Sequence, residues 1–520
     1  MQFPRTLALL LLATPALPER ATAQRAPLEQ RIRRIIDRPE FARAMWGMQF
    51  TSLDSGRVVY ALNAEKLFTP GSTTKVLTMG TTMGILGSDH QFNTRVYRTG
   101  PVTQGVLQGN LVLLASGDPN LSARYKGGTL TFENVDHSYD ADANTRAVPG
   151  DPLNVLRTLA RQVRDRGIRR VTGSVIVDAS LFAEGDRELG TGVVISPMVL
   201  NDNLVDVTVT PGSDGGAPAT LRVSPATAYV HFINKVVTAP AGTRPRVRWS
   251  SDSMRTDGSR VVVASGVFPQ GTAPILYSYA VPQPSRYAEV AFAEALRAAG
   301  VVVNPRPYSI RPPLVRLRSS YGPANMVAEH RSALLGEEVR VTLKVSQNLH
   351  ASMMPYLLAA LRGRDSATTG FDLEREFLTT LGLDVSGARQ GDGAGGDAHF
   401  TPAFMVSFLG AMAKRPDAST FLAAMPVLGR DGTLWDIQQQ SPAAGHVFAK
   451  TGTFAVNDPL NRKMLVTGKG LAGYMTTAQG ERLAFAIYVN NVPVSTAPDE
   501  IKRVVGQALG EIAATVYEGR

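Results

Sequence analysis

The sequence predicts an α+β multidomain protein, an antiparallel sheet with helices interrupted by a large, mostly-β insertion. Three observations carry this. Segments with strand alternation lie near both ends of the chain, hundreds of residues apart, so one sheet draws on both ends. Residues from about 95 to 315 have another texture, rich in Val, Thr, Gly and Pro with short alternating runs. A chain of 520 residues also exceeds what one hydrophobic core accommodates, so two or more domains are expected.

In chain order, Leu28 to Asp37 puts Ile32, Ile35 and Ile36 on one helical face. Trp46 to Leu53, Asp54-Ser55-Gly56 and Arg57 to Asn63 read as strand, turn, strand. Pro70 and Gly71 break the chain, and a helix begins near Ser72 and continues through Val76, Leu77, Met79 and Met83. In the insertion, Leu111 to Ala115, Ser174 to Asp178 and Val205 to Thr210 alternate as strands, among helices at Leu153 to Arg166 and Ser285 to Ala299. This is the texture of two modules, one nested in the other. Helical pattern returns after Ser346 with Leu349, Met353, Met354, Leu357 and Leu358, and again at Pro402 to Lys414. Val447 to Thr451 reads as a strand, and Leu471 to Thr476 and Arg482 to Asn490 as a hairpin. The last helix aligns Ile501, Val504, Val505, Ala508, Leu509, Ile512 and Val516.

Residues 1–23 read as an export signal: Arg5, the apolar run Leu7 to Ala13, and a small-residue cleavage site at Ala21-Thr22-Ala23. No later stretch is long and apolar enough to span a bilayer, so a soluble mature chain in the periplasm or cell envelope is expected. With no cysteine, disulfides, thiolate catalysis and zinc–thiolate sites are excluded. The net charge of +10 becomes about +9 without Arg5, Glu19 and Arg20. Its arginines are scattered, with no long basic block, so solvated surface and weak attraction to an anionic wall are expected rather than nucleic-acid binding.

Three short motifs carry chemistry: Ser72-Thr73-Thr74-Lys75, Ser346-Gln347-Asn348 and Lys450-Thr451-Gly452, the first two 271 residues apart (75 to 346). An alcohol is a weak nucleophile and needs a base in hydrogen-bond reach. Ser72 and Lys75, at i and i+3 of a helix start, share a face. Lys75 becomes a base if burial or a neighbouring cation lowers its pKa, and Lys450 is the candidate cation or a holder of a substrate carboxylate. Ser346 is placed to relay a proton to a leaving amine and Asn348 to hold a substrate amide. Gly452 lets a peptide approach the strand, while Thr451 and Thr453 add hydroxyls. The backbone N–H groups of Ser72 and Thr453 would form an oxyanion hole. This is the inventory of a serine acyl-transfer enzyme working without histidine, and it calls for no metal or cofactor.

The ordered trio resembles that of the penicillin-binding proteins and serine β-lactamases. Phe68-Thr69-Pro70-Gly71-Ser72, Gly117-Asp118-Pro119, Val171 to Phe182, Asn201-Asp202-Asn203 with Val205 to Gly212, Asp392-Gly393-Ala394-Gly395 and Pro426 to Leu434 narrow the likeness. They resemble the class C low-molecular-mass penicillin-binding proteins, the D-alanyl-D-alanine carboxypeptidase/endopeptidases, over most of the mature chain. The resemblance implies a β-lactamase/transpeptidase-like catalytic domain of residues 24–94 and 316–520. It implies a second domain of 95–200 and 276–315 interrupting it, and a third of 201–275 nested in the second. It implies cleavage of D-Ala-D-Ala, and of D-Ala cross-links, in peptidoglycan stem peptides through an acyl-Ser72 intermediate. β-Lactam antibiotics would acylate the same serine. By position Ser72 would be the nucleophile, Lys75 the base, Ser346 and Asn348 the second motif, and Lys450, Thr451 and Gly452 the third. Two departures stand out. Ala394 occupies a position where the family usually has serine, and Phe454 to Gly470 looks like an extra loop at the cleft edge.

Other patterns carry less. Gly391 to Gly396 satisfies G-x-G-x-x-G but lacks the preceding buried strand and following acid of a dinucleotide site, so a tight loop is expected. Asp140, Asp142 and Asn144 begin with calcium-loop spacing, but Thr145 and Asp151 stand where glycine and glutamate are needed. Two rival functions remain on sequence grounds. One is a serine β-lactamase, for which no deacylating glutamate motif is evident. The other is a non-catalytic wall-binding scaffold, against which the intact Ser72, Lys75 and Lys450 argue.

Overall fold

A computed structural model of the chain describes residues 26–304, 313–497 and 499–519. The export signal expected at 1–23 lies outside the described residues. Within them no helix is long and apolar enough to cross a membrane.

The principal sheet is antiparallel and draws on both ends of the chain. Its strands run in the order Val58–Leu62, Met45–Ser52, Arg482–Asn490, Lys463–Thr476 and Val447–Asp458, with Val492–Val494 also on Lys463–Thr476. Side-chain alternation explains why it is buried on both faces. On Arg482–Asn490, residues Leu483, Phe485, Ile487 and Val489 enter a core shared with Ile32, Ile35, Leu509 and Ile512 of the two terminal helices. The intervening Ala484, Ala486 and Tyr488 enter a second core with Met79, Phe404, Met405 and Phe408 of the helices Thr74–Leu86 and Pro402–Met412. The small alanines on this second face leave room for helices to lie close to the strand.

The insertion is organised separately. A four-stranded sheet runs Val175–Asp178, Leu111–Leu114, Asn93–Arg98 and Met326–Arg331, the first pair parallel and the others antiparallel. Helices Asn154–Asp165 and Pro284–Ala298 cover it with stripes such as Leu156, Leu159, Ala160 and Val163. Beyond it, two three-stranded sheets enclose a smaller core of Val207, Val209, Val236, Ala264 and Phe268. The chain is therefore α+β and multidomain, as the sequence predicts.

Two expectations need correction. Phe454 to Gly470 is not a loop. Residues Phe454 to Asp458 and Lys463 to Gly468 pair antiparallel, with a bulge at Thr467, and lengthen the sheet as a hairpin that turns at its tip around Leu460. The third motif therefore sits mid-strand in Val447–Asp458 rather than at a strand end. Asn457, Asp458, Asn461, Arg462 and Lys463 interrupt the apolar residues here, so the segment does not read as paired strands.

Candidate active site

The turn carrying Ser72 forms where Pro70 and Gly71 stop the preceding extended chain. Gly71–Thr73 is one turn of 3-10 helix, continued by the α-helix Thr74–Leu86. Gly71 has φ +52, and a Cβ there would lie 2.5 Å from the Thr453 nitrogen. Gly452 is equally constrained, because a Cβ would lie 2.0 Å from the Pro70 carbonyl oxygen. Two glycines thus let the strand carrying the third motif press against the turn carrying Ser72. Ser72 is half-buried there, beside the exposed Thr453.

Lys75 lies one turn along the helix and is fully buried. Its Nζ is 2.8 Å from Ser72 Oγ, 2.6 Å from Asn348 Oδ1 and 3.2 Å from the Ala394 carbonyl oxygen. Burial lowers its pKa to about 7, and the anions Glu188, Asp392 and Asp136 oppose a larger fall. An amine this close to Ser72 and half-deprotonated near neutrality meets both requirements of a general base, geometry and proton affinity.

Ser346 and Asn348 flank the junction of two helices, Leu335–Val345 and Asn348–Arg362. Ser346 closes the first in the left-handed conformation, φ 66, and Gln347 caps the second by accepting from His350 N at 3.2 Å. The reversal turns Asn348 toward Lys75. Ser346 is buried at this bend, and its carbonyl accepts from the Tyr139 hydroxyl at 2.7 Å.

Lys450 is fully buried on its strand and donates to the Thr451 carbonyl at 2.7 Å. Burial, then Lys75, then Lys469 hold its pKa well below the usual lysine value. Lys469, paired across the hairpin from Thr453, is lowered to about 8 by burial and then Lys502, and donates to Thr453 Oγ1 at 2.5 Å. Thr451 Oγ1 meets Thr433 Oγ1 at 2.8 Å. Lys75 and Lys469 both act on Lys450, and three buried amines so arranged cannot all be charged cheaply in a desolvated site.

Sequence reasoning missed several groups. Tyr139, from the insertion, reaches Asn348 Oδ1 at 3.0 Å as well as Ser346. Burial raises its pKa strongly, so it stays protonated as a donor. Gly190 approaches so near that a Cβ would lie 2.1 Å from Asn348 Nδ2, and the buried Glu188 before it bonds its own loop at Gly190 N, 2.8 Å. The insertion therefore supplies a wall of the crevice. No local spacing signals this, because the partners are some 150 to 210 positions apart. The tight loop expected at Gly391 to Gly396 is present: Asp392 accepts from Gly395 N at 2.6 Å and Gly396 N at 2.8 Å. Its Ala394 serves Lys75 through the backbone carbonyl, so the missing serine side chain does not remove that contact. Asp140 and Asp142 have other partners: Asp140 accepts from Ser278 N on the distant strand Ile275–Ala280 at 2.9 Å, and Asp142 accepts from Asn144 N in its own turn at 2.7 Å.

The chain is similar to known proteins over nearly its whole length. A family profile, described as the D-Ala-D-Ala carboxypeptidase 3 (S13) family, matches residues 28–510. The chain belongs to this family. Among its relatives, D-alanyl-D-alanine carboxypeptidase of Actinomadura sp. (strain R39) is 28% identical over 97% of this chain and 88% of its own length. D-alanyl-D-alanine carboxypeptidase DacB of Haemophilus influenzae is 23% identical over 87% of this chain and 86% of its own. The crystal structure of penicillin binding protein 4 (dacB) from Haemophilus influenzae has the same fold. It aligns with TM-score 0.68 at 20% identity, covering 94% of this chain and 98% of that one. Membership accounts for both the crevice at the sheet edge and the insertion, since the match spans the two.

Proposed function

We propose that this D-Ala-D-Ala carboxypeptidase family member removes D-alanine from peptidoglycan stem peptides through an acyl-Ser72 intermediate. The contact of Lys75 Nζ with Ser72 Oγ at 2.8 Å, in a pocket that lowers the amine to about 7, carries the reading. Neutral Lys75 takes the Ser72 proton as Oγ attacks the penultimate D-Ala carbonyl. The oxyanion forms against the Ser72 and Thr453 backbone N–H groups, which adjoin through Gly71. Asn348 holds Lys75 and the substrate amide, and Ser346 passes a proton to the departing D-alanine. Water then hydrolyses the ester. The terminal carboxylate docks near Lys450, Thr451 and Thr453, and Gly452 leaves space for the peptide.

Substrate binding also sets the proton positions. A carboxylate beside Lys450 favours its ammonium form, and that cation in turn keeps Lys75 neutral. β-Lactams present a strained amide and a carboxylate in the same relation, so we propose that they acylate Ser72. A β-lactam complex of the Haemophilus influenzae neighbour supports this. Endopeptidase action on D-Ala cross-links follows from the same chemistry with a longer leaving amine. Action in the periplasm or cell envelope follows from the substrate and the export signal. We assign catalysis to residues 24–94 and 316–520, with 95–200 and 276–315 as a second domain and 201–275 as a third. The separate sheets and cores of the insertion support that division in outline, while Met326–Arg331 pairs in the second domain's sheet and Ile275–Ala280 in the third domain's, which moves two of its bounds.

The test is Ser72→Ala against a D-Ala-D-Ala peptide. D-Alanine release should fall to background, while release at the wild-type rate would overturn the assignment.

A further inference from the structure

Behind the crevice, five buried groups from three distant segments form a continuous chain. His137 Nδ1 lies 2.7 Å from Asp206 Oδ1, and its Nε2 lies 2.6 Å from Asp202 Oδ2. The other oxygen of Asp202 is 2.9 Å from His350 Nε2, and His350 Nδ1 is 2.6 Å from Glu338 Oε1. All five are at least nine-tenths buried. A neutral imidazole has one N–H and cannot donate from both nitrogens. His137 has a carboxylate in hydrogen-bond contact at each nitrogen, which calls for its imidazolium form; His350 has one such bond, to Asp202, and an ion-pair contact with Glu338 that favours the same charge. Asp202 is held in place at a strained turn, where Asn201, Asp202 and Asn203 have φ of 49, 54 and 56 in succession.

The chain connects directly to the catalytic groups. His137 is two residues before Tyr139, whose hydroxyl bonds Ser346 O and reaches Asn348 Oδ1. His350 is two residues after Asn348, in the first turn of the same helix. We propose that Asp206, His137, Asp202, His350 and Glu338 act as a charged clamp that fastens the insertion to the second motif and positions Asn348 against Lys75. They are positioning residues for the acyl transfer, and the inference rests on the function proposed above. Asp202 is the joint, because its two oxygens serve one imidazole from each side.

The clamp gives the reaction an alkaline limit separate from Lys75. Burial disfavours the His137 cation, but Asp206 and Asp202 outweigh it and hold its pKa well above the ordinary value. For His350, Glu338 and Asp202 overcome burial in the same way. The other charged or titratable groups facing the chain are Asp136 beside His137, and Arg124 and Tyr287 near Asp206 and Asn201. Asp118 faces His350, with His330 behind it at 3.9 Å. Positioning is present while the imidazoles are charged and is lost as pH rises through their raised pKa values. Removing the Asp202 charge lowers those values and brings the loss to lower pH.

Two measurements on the full chain test this. Nitrogen-15 NMR of histidine-labelled wild type at about pH 8 should show His137 and His350 doubly protonated; neutral imidazoles would overturn the clamp. Acylation by a chromogenic penicillin should then be followed against pH for wild type and Asp202→Asn. The alkaline limb of the variant should move down by about one pH unit or more, with its acylation constant near pH 8.5 about tenfold lower. A folded Asp202→Asn protein with the wild-type profile would also overturn the proposal. Wild type that is never acylated would instead defeat the proposed function, and the NMR result would still decide the clamp.

Discussion

Lys75 is buried, bonded to Ser72 and placed near neutrality by desolvation, so its protonation should govern the acid side of the reaction. Only the neutral amine accepts the Ser72 proton. kcat/KM for a D-Ala-D-Ala peptide should therefore rise with pH through about 7 to a plateau bounded only by the alkaline limit of the histidine clamp, measured by D-alanine release. An acid limb centred near 4 would point to a carboxylate base instead. Lys75→Arg keeps the charge but cannot deprotonate, and should lose about 10²- to 10⁴-fold in acylation rate. These residues were legible in the sequence because each motif is short and local: Ser72 and Lys75 share a helical face whatever the rest of the chain does. Tyr139, Glu188 and Gly190 were not, since their relation to Asn348 exists only after the insertion folds back.

Among the elements, the strand Val447–Asp458 and the Ser72 turn meet through glycines, with no room for a methyl group on either side. Gly452→Ala should push the strand off the turn and lower penicillin acylation by about 10²-fold or more, while circular dichroism shows the fold retained. The helix Gly370–Thr380 gives a stability test independent of catalysis. Its Glu374 is buried, its Oε1 has no hydrogen-bond partner among the described residues, and burial raises its pKa to about 8. A carboxyl raised in the folded state opposes folding increasingly from its unfolded pKa up to the folded one. Glu374→Gln should thus stabilise the protein by about 1–3 kcal/mol at pH 7 and by much less at pH 5, read from urea unfolding. Most helices were legible from apolar periodicity. The hairpin at Phe454 to Gly468 was not, because an exposed pair of strands need not alternate.

For the whole molecule, the crevice around Ser72 and Asn348 draws on both the principal sheet and the segments carrying Tyr139 and Gly190. The two sheet systems could be anticipated from composition alone, since strands near both termini need partners and the middle of the chain has its own texture. How the insertion leans on the second motif could not, because packing between separate cores leaves no periodic trace. The net charge of +10 belongs to this scale too. Binding of the Ser72→Ala protein to purified sacculi should weaken as salt rises from about 0.05 to 0.5 M, whereas wild-type turnover of a small neutral peptide should change little. Salt-independent sacculus binding would assign recognition to the crevice alone.

The most direct measurement is mass spectrometry of wild-type protein after brief exposure to penicillin. The account predicts one added acyl mass, located in the tryptic peptide Leu67 to Lys75 and absent from Ser72→Ala. An unmodified protein, or an adduct on any other serine, would contradict it.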